Sequence, residues 1–195
     1  AQGSPRRRVI TLATEHKCVL ESVRDLAQEG FEPVILPVDT NGRLDPTVLQ
    51  KALEVPTALV SIMAANNETG VVQDLATLAP LGEQAGALLH SDLAQAVGKM
   101  PVDVRRMGLA LGSVSSHKLY GPKGAGALFV RRRPRVRLQP LFSGGGQERG
   151  LRSGTLPGFL LAGFGEACRI AQEEGAKDAA HLAHLQTVFL ARVKQ

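Results

Sequence analysis

Short apolar, β-branched runs alternate along this chain with segments whose apolar residues recur at helical spacing, an alternation that favours a parallel sheet covered by helices. Arg8 to Ala13 reads as a strand. His16 to Gln28 carries Val19, Leu20, Val23, Leu26 and Ala27 at helical spacing and stops at Gly30. A strand follows at Pro33 to Val38, and in TNGRLDP either Asp45 or Thr47 can cap a short helix through Leu53. Ala58 to Met63 is again apolar and β-branched, and Leu75 to Gln84 is helical. Further strands are expected at Ala87 to His90, in LALGSVSS and at Ala125 to Val130. From Pro157 to Glu174, and again from Asp178 to the end, the pattern is helical. The expected class is α/β.

With 195 residues and 44% hydrophobic content, the chain can bury one real core. No stretch approaches the roughly 20 apolar residues of a membrane helix, and no signal segment opens it, so a soluble protein is expected. Cys18 and Cys168 lack metal-ligand spacing and are too few for a disulfide framework, which points to a reducing compartment. Both sit in helical segments and are expected to pack against the core. The net charge of +5 is concentrated in Arg6 to Arg8 and in RRRPRVR at Arg131 to Arg137. Such runs form solvated faces or nucleic-acid patches. An aromatic content of 4% argues against base-stacking platforms, so nucleic acid is not the expected partner. The five histidines are scattered, with no HExxH, and no GxSxG frames a nucleophilic serine. Metal-dependent and serine hydrolysis are therefore disfavoured.

In open α/β sheets, ligands collect beyond the carboxyl ends of the strands. His16, Asn66 with Asn67, Asp92, and His117 with Lys118 each follow an expected strand there. A carbonyl cofactor needs an amine, and an ordinary lysine, with a pKa of about 10.4, is protonated and unreactive unless burial or a second cation lowers it. Lys118 lies between His117 and the Leu119-Tyr120 pair on a loop closed by Gly121 and Pro122, with Lys123 as a local rival. A cofactor with a pyridine ring also needs a carboxylate opposite its nitrogen. Asp92 closes the apolar run ALLHSD and suits that role, although an aspartate there can equally cap a helix. Gln95 could reach the same ligand. Ser115, Ser116 and His117 offer hydroxyls, amides and a cation for a phosphate, whereas Gly144 to Gly146 lacks nucleotide-loop spacing and reads as a turn.

Taken together, TEHKCVLE, NNETG, HSDLAQAVGK, SSHKLYGPKG and GGGQERGLRSGT resemble, in order and spacing, the motifs of NifS/IscS-type cysteine desulfurases. The resemblance covers nearly the whole chain. It implies part of the large domain of a fold-type I pyridoxal 5'-phosphate (PLP) enzyme, a three-layer α/β/α sandwich with a mostly parallel sheet. Residues 1–175 would form this domain without the family's N-terminal segment, and residues 176–195 would lead toward a C-terminal small domain. By motif, Lys118 would form the Schiff base with PLP and Asp92 would pair with the pyridine nitrogen. His16 would stack on the ring and move protons, and Asn67 and Gln95 would approach the phenolic oxygen. Ser115 and His117 would hold the phosphate, and Thr155 would reach the phosphate site of a neighbouring subunit in a homodimer.

The implied reaction converts L-cysteine to L-alanine and an enzyme persulfide, with iron-sulfur scaffold and sulfur-acceptor proteins as partners. The compartment would be the bacterial cytoplasm or, alternatively, the mitochondrial matrix. Family members carry the attacking cysteine on a later loop, beyond residue 195, so this stretch alone is expected to be inactive. Leu93 stands where the family usually has alanine, and Ser116 where it commonly has glycine. Competing expectations are a selenocysteine lyase or other class V aminotransferase-like enzyme, a non-catalytic scaffold or dimerisation homologue, and, from RRRPRVR alone, a nucleic-acid-binding module.

Overall fold

A computed structural model describes residues 6–193, so the ends of the two expected segments, residues 1–5 and 194–195, lie outside the described residues. Six strands form one sheet: β1 (Arg8–Leu12), β2 (Glu32–Leu36), β3 (Thr57–Ser61), β4 (Leu88–Asp92), β5 (Leu111–Ser115) and β6 (Gly126–Val130), in the order β2-β1-β3-β4-β5-β6. The first four neighbouring pairs are parallel. β6 runs antiparallel to β5, since Ser116 N–H bonds to Ala125 at one end of the pair and Arg131 N–H to Ala110 at the other. The sheet is mostly parallel, as the sequence led us to expect.

The described residues also form four α-helices: α1 (Lys17–Asp25), α2 (Pro46–Ala52), α3 (Leu75–Gln84) and α4 (Gly158–Val193). The chain steps one way from β1 to β2 and the other way from β2 through β3 to β4. With right-handed crossovers, α1 must therefore cover one face while α2 and α3, which pack on each other, cover the opposite face. That is the three-layer arrangement. α1 gives way at Leu26–Glu29 to a 3-10 turn that ends on Gly30 at φ 80°. Asp45, not Thr47, caps α2, accepting the Thr47 N–H at 2.8 Å.

The chain divides into two compact units. The first comprises the described residues through Gln95 with Val102–Val114 and Ala127–Val136, and it contains nearly all of the sheet. Val9, Ile10, Leu12, Leu49, Val60, Ile62, Leu75, Leu78, Leu89 and Leu109 are its buried centre. The second comprises Ala96–Pro101, Ser115–Gly126 and the chain from Arg137 onward. There α4 is one unbroken helix of 36 residues, roughly 54 Å long, where two helical stretches were expected. The glycine at 175 between them costs a helix only about 1 kcal/mol, too little to end one with neighbours on both sides.

Both cysteines are exposed, contrary to expectation. Cys18 lies at the start of α1, off the side that carries the buried Val23. Cys168 follows Ala167, the only described α4 residue that is buried, and one helical step turns it outward. Of RRRPRVR, Val136 is buried while Arg132, Arg133, Arg135 and Arg137 face solvent. Leu128 on β6 is 50% exposed, an open apolar position at the edge of the sheet.

Leu93, the departure from the family alanine, is fully buried in the first unit. Gly112 makes room for it, since a Cβ at that glycine would lie 2.8 Å from Leu93 Cδ1. Leu93→Ala should therefore open a cavity and cost about 2–5 kcal/mol in urea denaturation. A loss under about 0.5 kcal/mol would mean that the side chain is not packed there.

Candidate active site at the carboxyl edge of the sheet

In the first unit, the site grows from the place where β1 and β3 part. Their register ends with Ile10 opposite Val60, and beyond it three side chains span the gap. Thr11 Oγ1 donates to the Ser61 carbonyl at 3.0 Å, and Asn66 Nδ2 donates to the Thr14 carbonyl at 2.8 Å. Between them, Glu15 Oε1 accepts the Met63 N–H at 2.5 Å. Because β2 lies on one side of β1 and β3 on the other, this gap is the reversal point at which open α/β sheets form a ligand crevice.

His16 leaves this crevice as the N-cap of α1, its Nδ1 accepting the Cys18 N–H at 3.2 Å and lying 2.9 Å from Cys18 Sγ. An Nδ1 that accepts from an amide carries its ring proton on Nε2, the atom left for a ligand. Cys18 has its thiol pushed up by partial desolvation, then by the charge of Asp92. Of the two asparagines, Asn66 is used by the scaffold, its Oδ1 accepting the N–H groups of Glu68 and Thr69 at 2.9 and 2.8 Å. Asn67 is exposed. Asp92 ends β4, half-buried, with Oδ1 accepting the Ala94 N–H at 2.8 Å. Gln95 follows on the next turn, also half-buried.

Beneath Asp92, on the same face of β4, His90 lies between Ser61 on β3 and Ser113 on β5, with Nδ1 2.8 Å from one hydroxyl and Nε2 2.9 Å from the other. Burial pushes its pKa down, against the opposing pull of Asp92. Glu15 is the most perturbed acid of the unit. It is 5% exposed, and Oε2 has no hydrogen-bond partner. Burial raises its pKa from 4.5 to about 8, opposed by the Met63 amide and reinforced by the charge of Asp92.

The second unit carries the lysine loop. A 3-10 turn, Ser116–Leu119, puts Ser116 and Leu119 inside and leaves His117 and Lys118 exposed, and Tyr120 closes it at φ 62°. Ser115 Oγ lies 3.0 Å from His117 Nδ1. The turn is held from below: a Cβ on Gly121 would meet Ser116 Oγ at 2.3 Å, and one on Gly98 would meet Leu119 Cδ1 at 1.9 Å. Lys118 is thus presented on a turn anchored by its flanking residues. The neighbouring cation is Lys99, whose amine is pushed down by burial and by the charge of Lys118. Thr155 is exposed on a separate loop, next to Gly154, whose N–H bonds to Gln147 Oε1 at 3.0 Å.

Within the first unit the structure thus gathers His16, Asn67, Asp92 and Gln95 at loops that leave the strands' carboxyl ends, and within the second it holds Ser115, His117 and Lys118 on one turn. Sequence reasoning missed Glu15, His90 and Lys99. Glu15 was detectable, as an acid next to His16 directly after an apolar strand.

The Aminotransferase class-V family profile matches residues 2–195, and the chain belongs to that family. Within it, the chain is 50% identical over 188 residues to cysteine desulfurase IscS of Rickettsia bellii, covering 96% of this chain and 46% of that protein. It is 52% identical over 190 residues to the mitochondrial cysteine desulfurase of Arabidopsis thaliana, covering 97% of this chain and 42% of the relative. The solved structure of a NifS-like protein superposes with a TM-score of 0.92 at 37% identity, over 98% of this chain and 53% of the other. The chain therefore spans about half the length of the relatives it matches. Class V aminotransferases and cysteine desulfurases are PLP-dependent.

The anchored turn yields a prediction. Gly98→Ala, at φ 76° and against Leu119, should destabilise by about 1–3 kcal/mol and increase protease cleavage near Lys118. Unchanged thermal stability and cleavage would show that Leu119 does not fix the turn.

Proposed function

We propose that this chain is the cofactor-binding core of a PLP-dependent cysteine desulfurase, which converts L-cysteine to L-alanine and passes the sulfur to an enzyme cysteine. The observation that carries the reading is the grouping of His16, Asn67 and Asp92 around the β1/β3 reversal point, in a chain half identical to proteins named cysteine desulfurase. The donor set suits PLP. An acid stands at a strand end for the ring nitrogen, an imidazole and an amide occupy the crevice loops, and a lysine shares its turn with a hydroxyl and an imidazole for aldehyde and phosphate.

In this reading Lys118 holds the cofactor covalently, Asp92 holds its ring nitrogen, and Asn67 and Gln95 approach its phenolic oxygen. Ser115 and His117 bind the phosphate, joined by Thr155 from the second subunit of a homodimer. When bound, PLP supplies an electron sink for the carbanion that forms as cysteine loses its sulfur. His16 would stack on the ring and help move protons, its Nε2 being left free by the cap bond at Nδ1. Partial desolvation and the charge of Asp92 push the Cys18 thiol up, which disfavours Cys18 as the sulfur acceptor. The parent would serve iron-sulfur assembly through scaffold and acceptor proteins, in a cytoplasm or a mitochondrial matrix.

Adding PLP to the purified chain should produce a visible absorption band that Lys118→Ala abolishes. Asp92→Asn, which removes a charge-assisted hydrogen bond of about 1.5–3 kcal/mol, should weaken PLP binding on the order of ten- to a hundredfold. A band that persists in Lys118→Ala, or no band in the wild type, would reject the assignment.

A further inference from the structure

Glu15 is buried at the β1/β3 parting and has no part in the proposed chemistry. One of its oxygens holds the Met63 amide, and the other is enclosed without a partner. An ionised carboxylate with one lone oxygen, out of water and beside a second acid, is costly. A carboxylic acid in the same position costs much less, because the enclosed oxygen carries a proton and the other still accepts the amide.

We propose that Glu15 is a positioning residue of this site: as an uncharged acid it ties the loop bearing His16 to the end of β3 without adding a second negative charge beside Asp92. The inference rests on the proposed reading of the site only in what His16 and Asp92 are positioned for. Geometry supports the tie, because Glu15 immediately precedes the His16 cap and Met63 lies just past the end of β3, three residues before the turn that Asn66 shapes. The groups facing Glu15 agree on its charge state. Asp92, from β4, disfavours ionisation, the Cys18 thiol of α1 brings no positive charge, and β3 contributes only an amide. His16 is an exposed cap whose Nδ1 is taken up by the Cys18 amide.

The sign of the pH dependence follows from the raised value. Stability from the protonated form is complete below the ordinary glutamate value of 4.5 and is lost progressively until pH passes about 8. Glu15→Gln keeps the shape and the carbonyl that accepts the Met63 amide but cannot ionise. The experiment compares the wild-type chain, Glu15→Gln and Glu15→Ala without cofactor. Melting temperature is measured from about pH 5 to about pH 8.5, and the His16 ring titration is followed by NMR with His184 of α4 as the internal reference.

Expected is a wild-type melting temperature that falls relative to Glu15→Gln across this range and then levels off. Glu15→Ala should displace the His16 midpoint by more than about half a pH unit, and Glu15→Gln should restore it. A wild-type minus Glu15→Gln difference that is flat with pH overturns the uncharged acid, and an unmoved His16 in Glu15→Ala overturns the positioning. If Glu15→Ala does not fold, a displaced His16 in Glu15→Gln also overturns it. Because none of these measurements uses PLP, a wild-type chain that fails to take up PLP sinks the proposed function and leaves this test intact.

Discussion

The parallel pairing of β1 with β2 on one side and β3 on the other is the constraint on which the rest of the first unit depends. It sends α1 and α2 to opposite faces, so the loops entering them must diverge, and backbone groups at the parting lose their ladder partners. Side chains make up the loss. Thr11, Glu15 and Asn66 each take one orphaned main-chain group on the far side of the gap. The crevice is thus built and braced by the same few residues, and the candidate ligand contacts, His16 and Asn67, are sequence neighbours of two of those braces.

Much of this was legible in the sequence because it depends on local pattern. Helix α3 falls where its spacing put it, at Leu75–Gln84, and the strands fall within a residue or two of their apolar runs. Placing His16, Asn67 and Asp92 at carboxyl ends needed only the order of elements. What stayed hidden depends on contacts between residues far apart in the chain. Nothing in TEHKCVLE reveals that Glu15 will meet an amide 48 positions later, and nothing in HSDLAQ shows that Leu93 will find room over Gly112. The cysteines were misjudged for a related reason: a helical segment does not say which of its sides is covered until the sheet beside it is known.

The two departures from the family pattern have different consequences. Leu93 is accommodated by a glycine on the adjacent strand, on the face of β4 opposite Asp92, so the enlarged side chain need not disturb the acid. Ser116 is buried in the lysine turn with its hydroxyl unpaired, so its polarity is a standing cost to that turn. It is close to Gly121, and a larger residue at either position would push on the other.

The Ser61–His90–Ser113 bridge joins three adjacent strands by side chains, through a ring that is neutral and so can donate at one nitrogen and accept at the other. Parallel strands can slide by two residues and still show the same side chains to the same face. Such a slide moves a strand by about 6.6 Å, far more than a hydrogen bond spans, so either serine would lose the imidazole. The bridge therefore acts as a vernier on strand alignment. It disfavours the two-residue slides that hydrophobic patterning tolerates, and with them any arrangement that would shift Asp92 a full pleat along the sheet.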